Sequence, residues 1–410
     1  MEHPLRRVGM FVKRARHARW IRFSTKLIAV VLIFALGVGI GDGRITLNNY
    51  SALHKSVQQG LPDNLDYRSV EQVYDLLKLD YDGKLDTEKL LDGLKAGLAE
   101  ASGDNYTEYF NAEQSKALKE DLSGTITGIG AKLGKDNGVI IVMSPLPGYP
   151  AEKAGLRAKD IIAKIDDEST QHMTIDQAVK KIRGDAGTKV KLTVIRNDQR
   201  LDFEITREQI TVPSVEYQVL DGNIGYLQIT QFNTDTSELA LKAAKEFKQK
   251  NVKGVILDLR GDPGGYLNTA VNVSSLWLPK GKAILTERRN GVIVKTYEST
   301  GTQILAGIKT AVLIDEGSAS ASEITAGALK DNDAATLIGV TSFGKGSVQD
   351  LDSLINGGTL KVTIARWFRP NGENIDKKGI DPDQKVERSD EDFKANRDPQ
   401  KDAALKFLKQ

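Results

Sequence analysis

Apolar positions fall into three textures along the chain. From residue 70 to residue 122 they recur at helical spacing, which predicts helices over Val70–Leu79, Thr87–Glu100 and Ala112–Leu122. From residue 124 to about residue 207 short apolar runs dominate. Strands are expected over Gly138–Met143, Asp160–Asp166 and Lys189–Ile195, with helices starting at Pro150 and spanning Thr174–Arg183. Beyond Pro213 apolar strands alternate with amphipathic helices. Ile224–Ile229, Val255–Leu259, Thr310–Ile314, Thr336–Val340 and Thr359–Ala365 are expected strands. Asp235–Lys250 is an expected helix, and a further helix opens at Gly264-Gly265 and runs to about Trp277. Ala283–Arg288 and Val292–Tyr297 meet at Asn290-Gly291, a strong hairpin signal. Strands alternating with helices predict an α/β core with a largely covered sheet.

The two ends differ from this body. Residues 1–26 carry Arg6, Arg7, Lys13, Arg14, Arg16, Arg19, Arg22 and Lys26 against Glu2 alone, and Leu27–Ile40 is apolar and uncharged. Its length suits a signal-peptide core, but the long basic leader favours retention as an anchor, with the N-terminus cytoplasmic and the remainder extracytoplasmic. Cleavage, giving a secreted or periplasmic protein, is the alternative. Residues 44–66 have a linker's composition, with the breaker Leu61-Pro62-Asp63, and the stretch from Ser389 is charged, with a short final helix around Ala403–Leu408.

Composition narrows the chemistry. The 410 residues are 40% apolar, enough for two or three domains, and the net charge of +2 with no basic patch beyond the leader does not indicate nucleic acid. There is no cysteine, hence neither disulfide nor thiol nucleophile, and the four histidines, His3, His17, His54 and His172, are too dispersed for a Ser-His-Asp triad or a three-histidine zinc site. Asp80–Asp86 has a calcium-loop flavour, but its glycine is fourth rather than sixth, which rejects an EF-hand.

One stretch, Asp315–Gln349, carries the chemistry. The Thr310–Ile314 strand ends in a Gly-Ser-Ala cluster followed by a helical pattern, placing Ser320 in the turn beside the positive end of a helix dipole. Lys345 stands between Gly344 and Gly346 after the next strand. With cysteine and histidine eliminated, a serine nucleophile needs a lysine base. That requires a fall of ~3 units from a lysine's usual pKa, about 4 kcal/mol, which burial supplies. Taken alone, an N-capping serine and a solvated loop lysine stay open. Gly339–Lys345 also fits G-x-x-x-x-G-K, but Gly346 replaces the Ser or Thr that holds magnesium and no helical pattern follows, so a nucleotide site is not expected.

The stretch, with Leu259-Arg-Gly-Asp-Pro-Gly-Gly265 upstream and Pro370-Asn-Gly372 and Gly379-Ile-Asp-Pro-Asp383 downstream, resembles the C-terminal processing (tail-specific) peptidases from about residue 67 to residue 388. The resemblance implies Ser320 as nucleophile, Lys345 as general base and Gln349 as the residue that orients the lysine. It also implies an oxyanion hole from the amides of Ala321 and of Gly264 or Gly265. Where the family often has Asn before Pro-Gly-Gly, this chain has Asp262. Residues 124–207 resemble a PDZ domain, which adds a peptide to a sheet edge and holds its carboxylate in a nest of amides, here Gly128-Ile129-Gly130.

The expected organisation is a leader and anchor over residues 1–43, a linker over 44–66, a helical region over 67–123, a PDZ-like domain over 124–207, a catalytic core over 208–388 and a tail over 389–410. The resemblance implies a ClpP/crotonase-like α/β core with the mixed α+β PDZ-like domain inserted. Implied partners are protein or peptide substrates with free C-termini and, through the anchor, the cell membrane. The helical region suits packing or a homo-oligomer. No metal or cofactor is implied. The rival reading is a catalytically silent, membrane-anchored scaffold for C-terminal tails.

Overall fold

The computed structural model describes residues 61–410, apart from Asp63 and Asn137. The basic leader, the Leu27–Ile40 run and most of the expected linker therefore lie outside the described residues. The chain divides into two units, Met1–Leu85 and Asp86–Gln410. In the first, the Arg68–Asp80 helix has no buried residue. Among the described residues no helix is long and apolar enough to cross a membrane.

The second unit begins with two helices that start where their caps dictate. Asp86 accepts the amides of Glu88 and Lys89 ahead of the Thr87–Glu100 helix. Asn111 and Gln114 form a reciprocal capping box ahead of Ala112–Ser123, which closes on Gly124 at φ 69°. The strand Glu108–Phe110 lies between them and pairs with Thr359–Phe368.

The central sheet runs in the order Val215–Leu220, Ile224–Ile229, Gly254–Asp258, Lys309–Ile314, Thr336–Gly339 and Gln384–Lys385. The first pair is antiparallel and every later pair parallel. Alternate side chains serve opposite faces. Val255, Leu257, Val312, Ile314 and Leu337 join the main core with Ala240, Phe247, Ala270 and Ile324 from the covering helices. Ile256, Ala311, Leu313 and Ile338 meet Ala404 and Leu408 on the other face. Burial on both faces explains why these strands are unbroken apolar runs. The charged tail thus ends in a docked element, the Pro399–Lys409 helix. It is locked through Arg260, which donates to Asp398 at 2.8 Å, to Gln400 at 2.9 Å and to the fully buried Asp258 at 2.6 Å.

A second sheet joins Glu108–Phe110, Thr359–Phe368, Ala283–Arg289 and Val292–Glu298, with Ser347–Ser353 on the long central strand. The hairpin turns at Asn290 (φ 50°) and Gly291 (φ 79°), the conformation Asn-Gly favours. A third sheet, in the order Ala131–Asp136, Val139–Pro145, Ile161–Ile165, Lys189–Arg196 and Gln199–Thr206, encloses its own core of Ile140, Val142, Ile162, Leu192 and Val194. Its Ile175–Ile182 helix is capped at the C-terminus by buried Arg207, which donates to the carbonyls of Lys181 and Ile182. This region hangs on a two-stranded ribbon, Thr125–Gly128 with Glu208–Thr211.

The glycine turn at the site differs from expectation. The helix expected from Gly264 begins at Leu267 and ends at Ser274. Gly264 and Gly265 have φ of 100° and 147°, values no right-handed helix accepts.

Candidate active site

Three adjacent parallel strands aim three loops at one place. Gly254–Asp258 runs into Arg260–Gly265, Lys309–Ile314 into Asp315–Ser320, and Thr336–Gly339 into Val340–Gly346. The loops leave the carboxyl ends, where open α/β sheets bind ligands. Ser320, Gly264, Gly265, Lys345 and Gln349 all line one cleft of about 320 Å³, with Tyr266, Val348 and Trp367 among its apolar walls. A cleft of about 800 Å³ lies at the opposite, amino ends of the Lys309–Ile314 and Thr336–Gly339 strands; it contains none of the expected site residues.

Ser320 occupies the turn at φ 53°, ψ −111°. That is strained ground for a residue with a Cβ and is a recurrent feature of functional turns. Its amide donates to Glu323 Oε2 at 2.8 Å. The Ala321–Asp331 helix starts immediately afterwards, with its dipole pointing at the serine.

The neighbouring glycine turn is pressed against it. A Cβ on Gly264 would stand 2.8 Å from Ser320 Cβ and 2.9 Å from the Ala321 nitrogen, so only glycine fits. The carbonyl of Asp262 accepts from the Ala319 amide and the Ser322 hydroxyl, each at 3.0 Å, which joins the two turns. The Gly264 amide is engaged by Asp262 Oδ1 at 2.8 Å. The amides of Gly265 and Ala321 donate no hydrogen bond among the described residues.

Glu323 organises the lysine loop. This fully buried carboxylate accepts from the Ser320 amide, from Ser342 Oγ at 2.6 Å, from the Gly344 amide at 2.7 Å and from the Lys345 amide at 3.0 Å. Burial pushes its pKa up against those four donors. One carboxylate thereby fixes the spacing of both loops. Its position three residues after Ser320 is a capping-box spacing, a signal present in the sequence that the motif reading did not use.

Lys345 is half-buried. Burial is the main cause holding its ammonium below the ordinary lysine range, Lys361 adds like-charge repulsion, and Glu323 opposes both. Nζ sits 5.2 Å from the ring centroid of Tyr106, a residue that the expected division placed ahead of the catalytic core. The loop before the Glu108–Phe110 strand carries this ring in. Asp104 Oδ2 accepts from Thr107 Oγ1 at 2.7 Å and from Thr363 Oγ1 at 2.6 Å. Gln349 Nε2 donates to Ser347 Oγ at 2.8 Å and to Thr363 Oγ1 at 3.2 Å. No hydrogen bond joins Lys345 Nζ to Ser320 Oγ or to Gln349. The loop's shape again depends on glycine: a Cβ on Gly346 would fall 2.6 Å from the Asp376 nitrogen.

At the entry to the third sheet, Ile129 is buried and Gly130 has φ 74°. The Ile129 carbonyl accepts from Ala151 at 2.7 Å and the Gly130 carbonyl from Leu146 at 2.8 Å. The segment leads directly into Ala131–Asp136, which is an edge strand. His172 is exposed. Among the described residues no cluster of His, Asp or Glu has the arrangement of a metal site.

Comparison with known proteins defines the class as serine peptidases. The sequence profile of peptidase family S41 matches residues 223–386, and that of the PDZ domain matches residues 141–196. The carboxy-terminal processing protease CtpA of Bacillus subtilis (strain 168) is 39% identical over 370 residues, 89% of this chain and 78% of that protein. A CtpA-like serine protease of Staphylococcus aureus (strain MSSA476) is 37% identical over 379 residues, covering 92% of this chain and 74% of that one. A solved S41 protease structure from Bacteroides fragilis NCTC 9343, 15% identical, covers 85% of this chain and 99% of its own with a TM-score of 0.54, showing the same fold. The chain belongs to the S41 peptidases, in the carboxy-terminal processing group, and carries a PDZ domain.

Proposed function

We propose that Ser320 is the nucleophile, Lys345 its general base, and the amides of Gly265 and Ala321 the oxyanion hole of a peptidase that selects substrates by their C-terminal tails. The observation that carries this is the convergence of the serine turn, the glycine turn and the lysine loop on one cleft. Neutral Lys345 takes the Ser320 proton as the hydroxyl attacks the carbonyl. The lysine then gives the proton to the leaving amine, and water repeats the cycle on the acyl-enzyme. Lys345 rests over Tyr106, so engagement of Ser320 requires its side chain to turn inward; catalytic hydrogen bonds of this kind commonly tighten only with substrate bound. Gln349 is the residue that orients it; its presence in the same cleft and a side chain held by Ser347 and Thr363 support that role. The alternative Gly264 amide is disfavoured as an oxyanion donor because Asp262 already takes its hydrogen.

The tail-selecting element is the Gly128-Ile129-Gly130 turn ahead of the Ala131–Asp136 edge strand, where an extended peptide adds as a further strand. The proposed organisation keeps the domain boundaries given above, with residues 1–43 as a single-pass anchor and the catalytic part outside the cytoplasm. The basic leader and the Leu27–Ile40 run support that placement.

The full chain is tested with an unfolded protein bearing an apolar C-terminus and with the same protein amidated there. Cleavage favoured by the free carboxylate is expected; cleavage indifferent to amidation removes the tail-selecting role and leaves the peptidase. Because the base acts neutral and its pKa is lowered, kcat/KM is expected to rise with pH along a limb whose midpoint lies below the ordinary lysine value of about 10.4. An absent ascending limb below about pH 7, with Lys345 essential, contradicts the assignment.

A further inference from the structure

Asp262, just behind the Pro263–Gly265 wall of the cleft, is a fully buried acid that the mechanism above leaves unused. Its Oδ1 accepts the Gly264 amide at 2.8 Å, while Oδ2 is buried without a hydrogen-bond partner, because the neighbouring Ser322 hydroxyl donates to the Asp262 backbone carbonyl instead. Among the described residues no Lys, Arg or His pairs with it. The charged groups on the surrounding elements are all committed elsewhere. Arg260, on the same loop, is held by Asp258 and Asp398. Asp315, on the neighbouring turn, takes the amides of Gly261 and Gly317. Glu323, on the facing helix, binds the Ser320 and Lys345 amides, and Lys345 itself lies over Tyr106.

A carboxylate in such a place is a buried, uncompensated charge, and it has the same sign as the oxyanion that forms beside Gly265. Burial accordingly pushes its pKa up to about 7. Uncharged, it keeps the acceptor that Gly264 needs and brings no opposing field.

We propose that Asp262 is a positioning residue that works as the neutral acid: it pins the Gly264 amide so that the Gly265 amide faces the nucleophile turn, and its ionisation weakens the oxyanion site. This rests on the reading of Ser320 as nucleophile and of Gly265 and Ala321 as oxyanion donors. Asp262 acts through the glycine turn and touches no substrate atom. Alkaline inhibition is therefore built into the enzyme, opposing the rise that Lys345 imposes.

The test is kcat/KM against pH for the full chain and its Asp262→Asn, Asp262→Ala and Ser320→Ala variants on one peptide substrate, with a thermal melt of each at low and high pH. Asn keeps the Oδ1 acceptor and cannot ionise. Asp262→Asn is expected to lack the descending limb of the parent and to exceed it about tenfold at pH one unit above the Asp262 midpoint. Asp262→Ala frees the Gly264 amide and is expected to lose about 100-fold relative to Asp262→Asn at every pH, the scale of a misplaced oxyanion donor. The melt supplies a readout independent of turnover. An acid whose folded pKa lies above its unfolded value contributes stability at low pH that is lost as pH rises through about 7, so Asp262→Asn should gain more melting temperature over the parent at high pH than at low. Superimposable pH profiles for parent and Asp262→Asn overturn the proposal while an inactive Ser320→Ala preserves the nucleophile reading. An active Ser320→Ala overturns both.

Discussion

Ser320→Ala is expected to lower peptide hydrolysis by about three orders of magnitude or more, with little change in folding stability. The loss is large because an acyl-enzyme cannot form without the hydroxyl, whatever the oxyanion hole still contributes. The fold is spared because the side chain is half-exposed at the cleft and alanine bears the same backbone strain at φ 53°. Ser320→Gly separates the two effects further. The pair φ 53°, ψ −111° is ordinary for glycine, so this variant is expected to be equally inactive yet more stable by about 1 kcal/mol. Steady-state hydrolysis and urea unfolding on the three proteins decide it. A Ser320→Ala enzyme retaining a tenth of parental activity removes the serine from its role, whereas a parent without hydrolysis that still binds C-terminal tails revives the scaffold reading.

The second large effect is expected at Glu323. Glu323→Ala leaves the Ser320, Gly344 and Lys345 amides and the Ser342 hydroxyl without their common acceptor in a fully buried site. An orphaned buried donor costs about 1–3 kcal/mol, and partial hydration of the cavity recovers some of the total, so a destabilisation of roughly 3 kcal/mol or more is expected. Activity falls with it, since nucleophile and base lose their fixed separation. Glu323→Gln is the informative companion. It removes the charge and keeps one acceptor, so folding is expected to suffer less. The negative charge opposes the lowering of the Lys345 pKa, so its removal lowers that pKa further and moves the ascending limb of the pH–rate profile toward acid. A limb that stays in place means the carboxylate is only structural. Urea unfolding together with kcat/KM against pH distinguishes these outcomes.

The elements were legible where apolar periodicity and local turn chemistry agreed. Thr87–Glu100 and Ile224–Ile229 match the expected limits, and Asn290-Gly291 turns the hairpin that its dipeptide specifies. Legibility failed where the decisive partner was distant. Ser347–Ser353 has no strong strand pattern and becomes a strand because it pairs with Thr359–Phe368. Gln199–Thr206 alternates with many charges and is fixed by its hairpin with Lys189–Arg196 through Asn197 and Asp198, both at positive φ. Pro399–Lys409 was expected only as a short helix in a charged tail; Arg260 and the far face of the central sheet dock it.

The site divides in the same way. The sequence by itself determined the nucleophile and base candidates, because cysteine is absent, the histidines are dispersed, and Ser320 and Lys345 stand in glycine-rich turns after apolar strands. It determined the peptidase resemblance as well, since the ordered motifs are local strings. The tertiary structure decided which groups hold that chemistry in place. Glu323 became the common acceptor of two loops, Tyr106 the ring over the lysine, and Asp262 a buried acid whose carbonyl joins the glycine turn to the serine turn while its carboxyl holds Gly264. Periodicity records which face of an element is apolar, whereas burial of a particular carboxylate and the partners of its two oxygens depend on residues tens to hundreds of positions away.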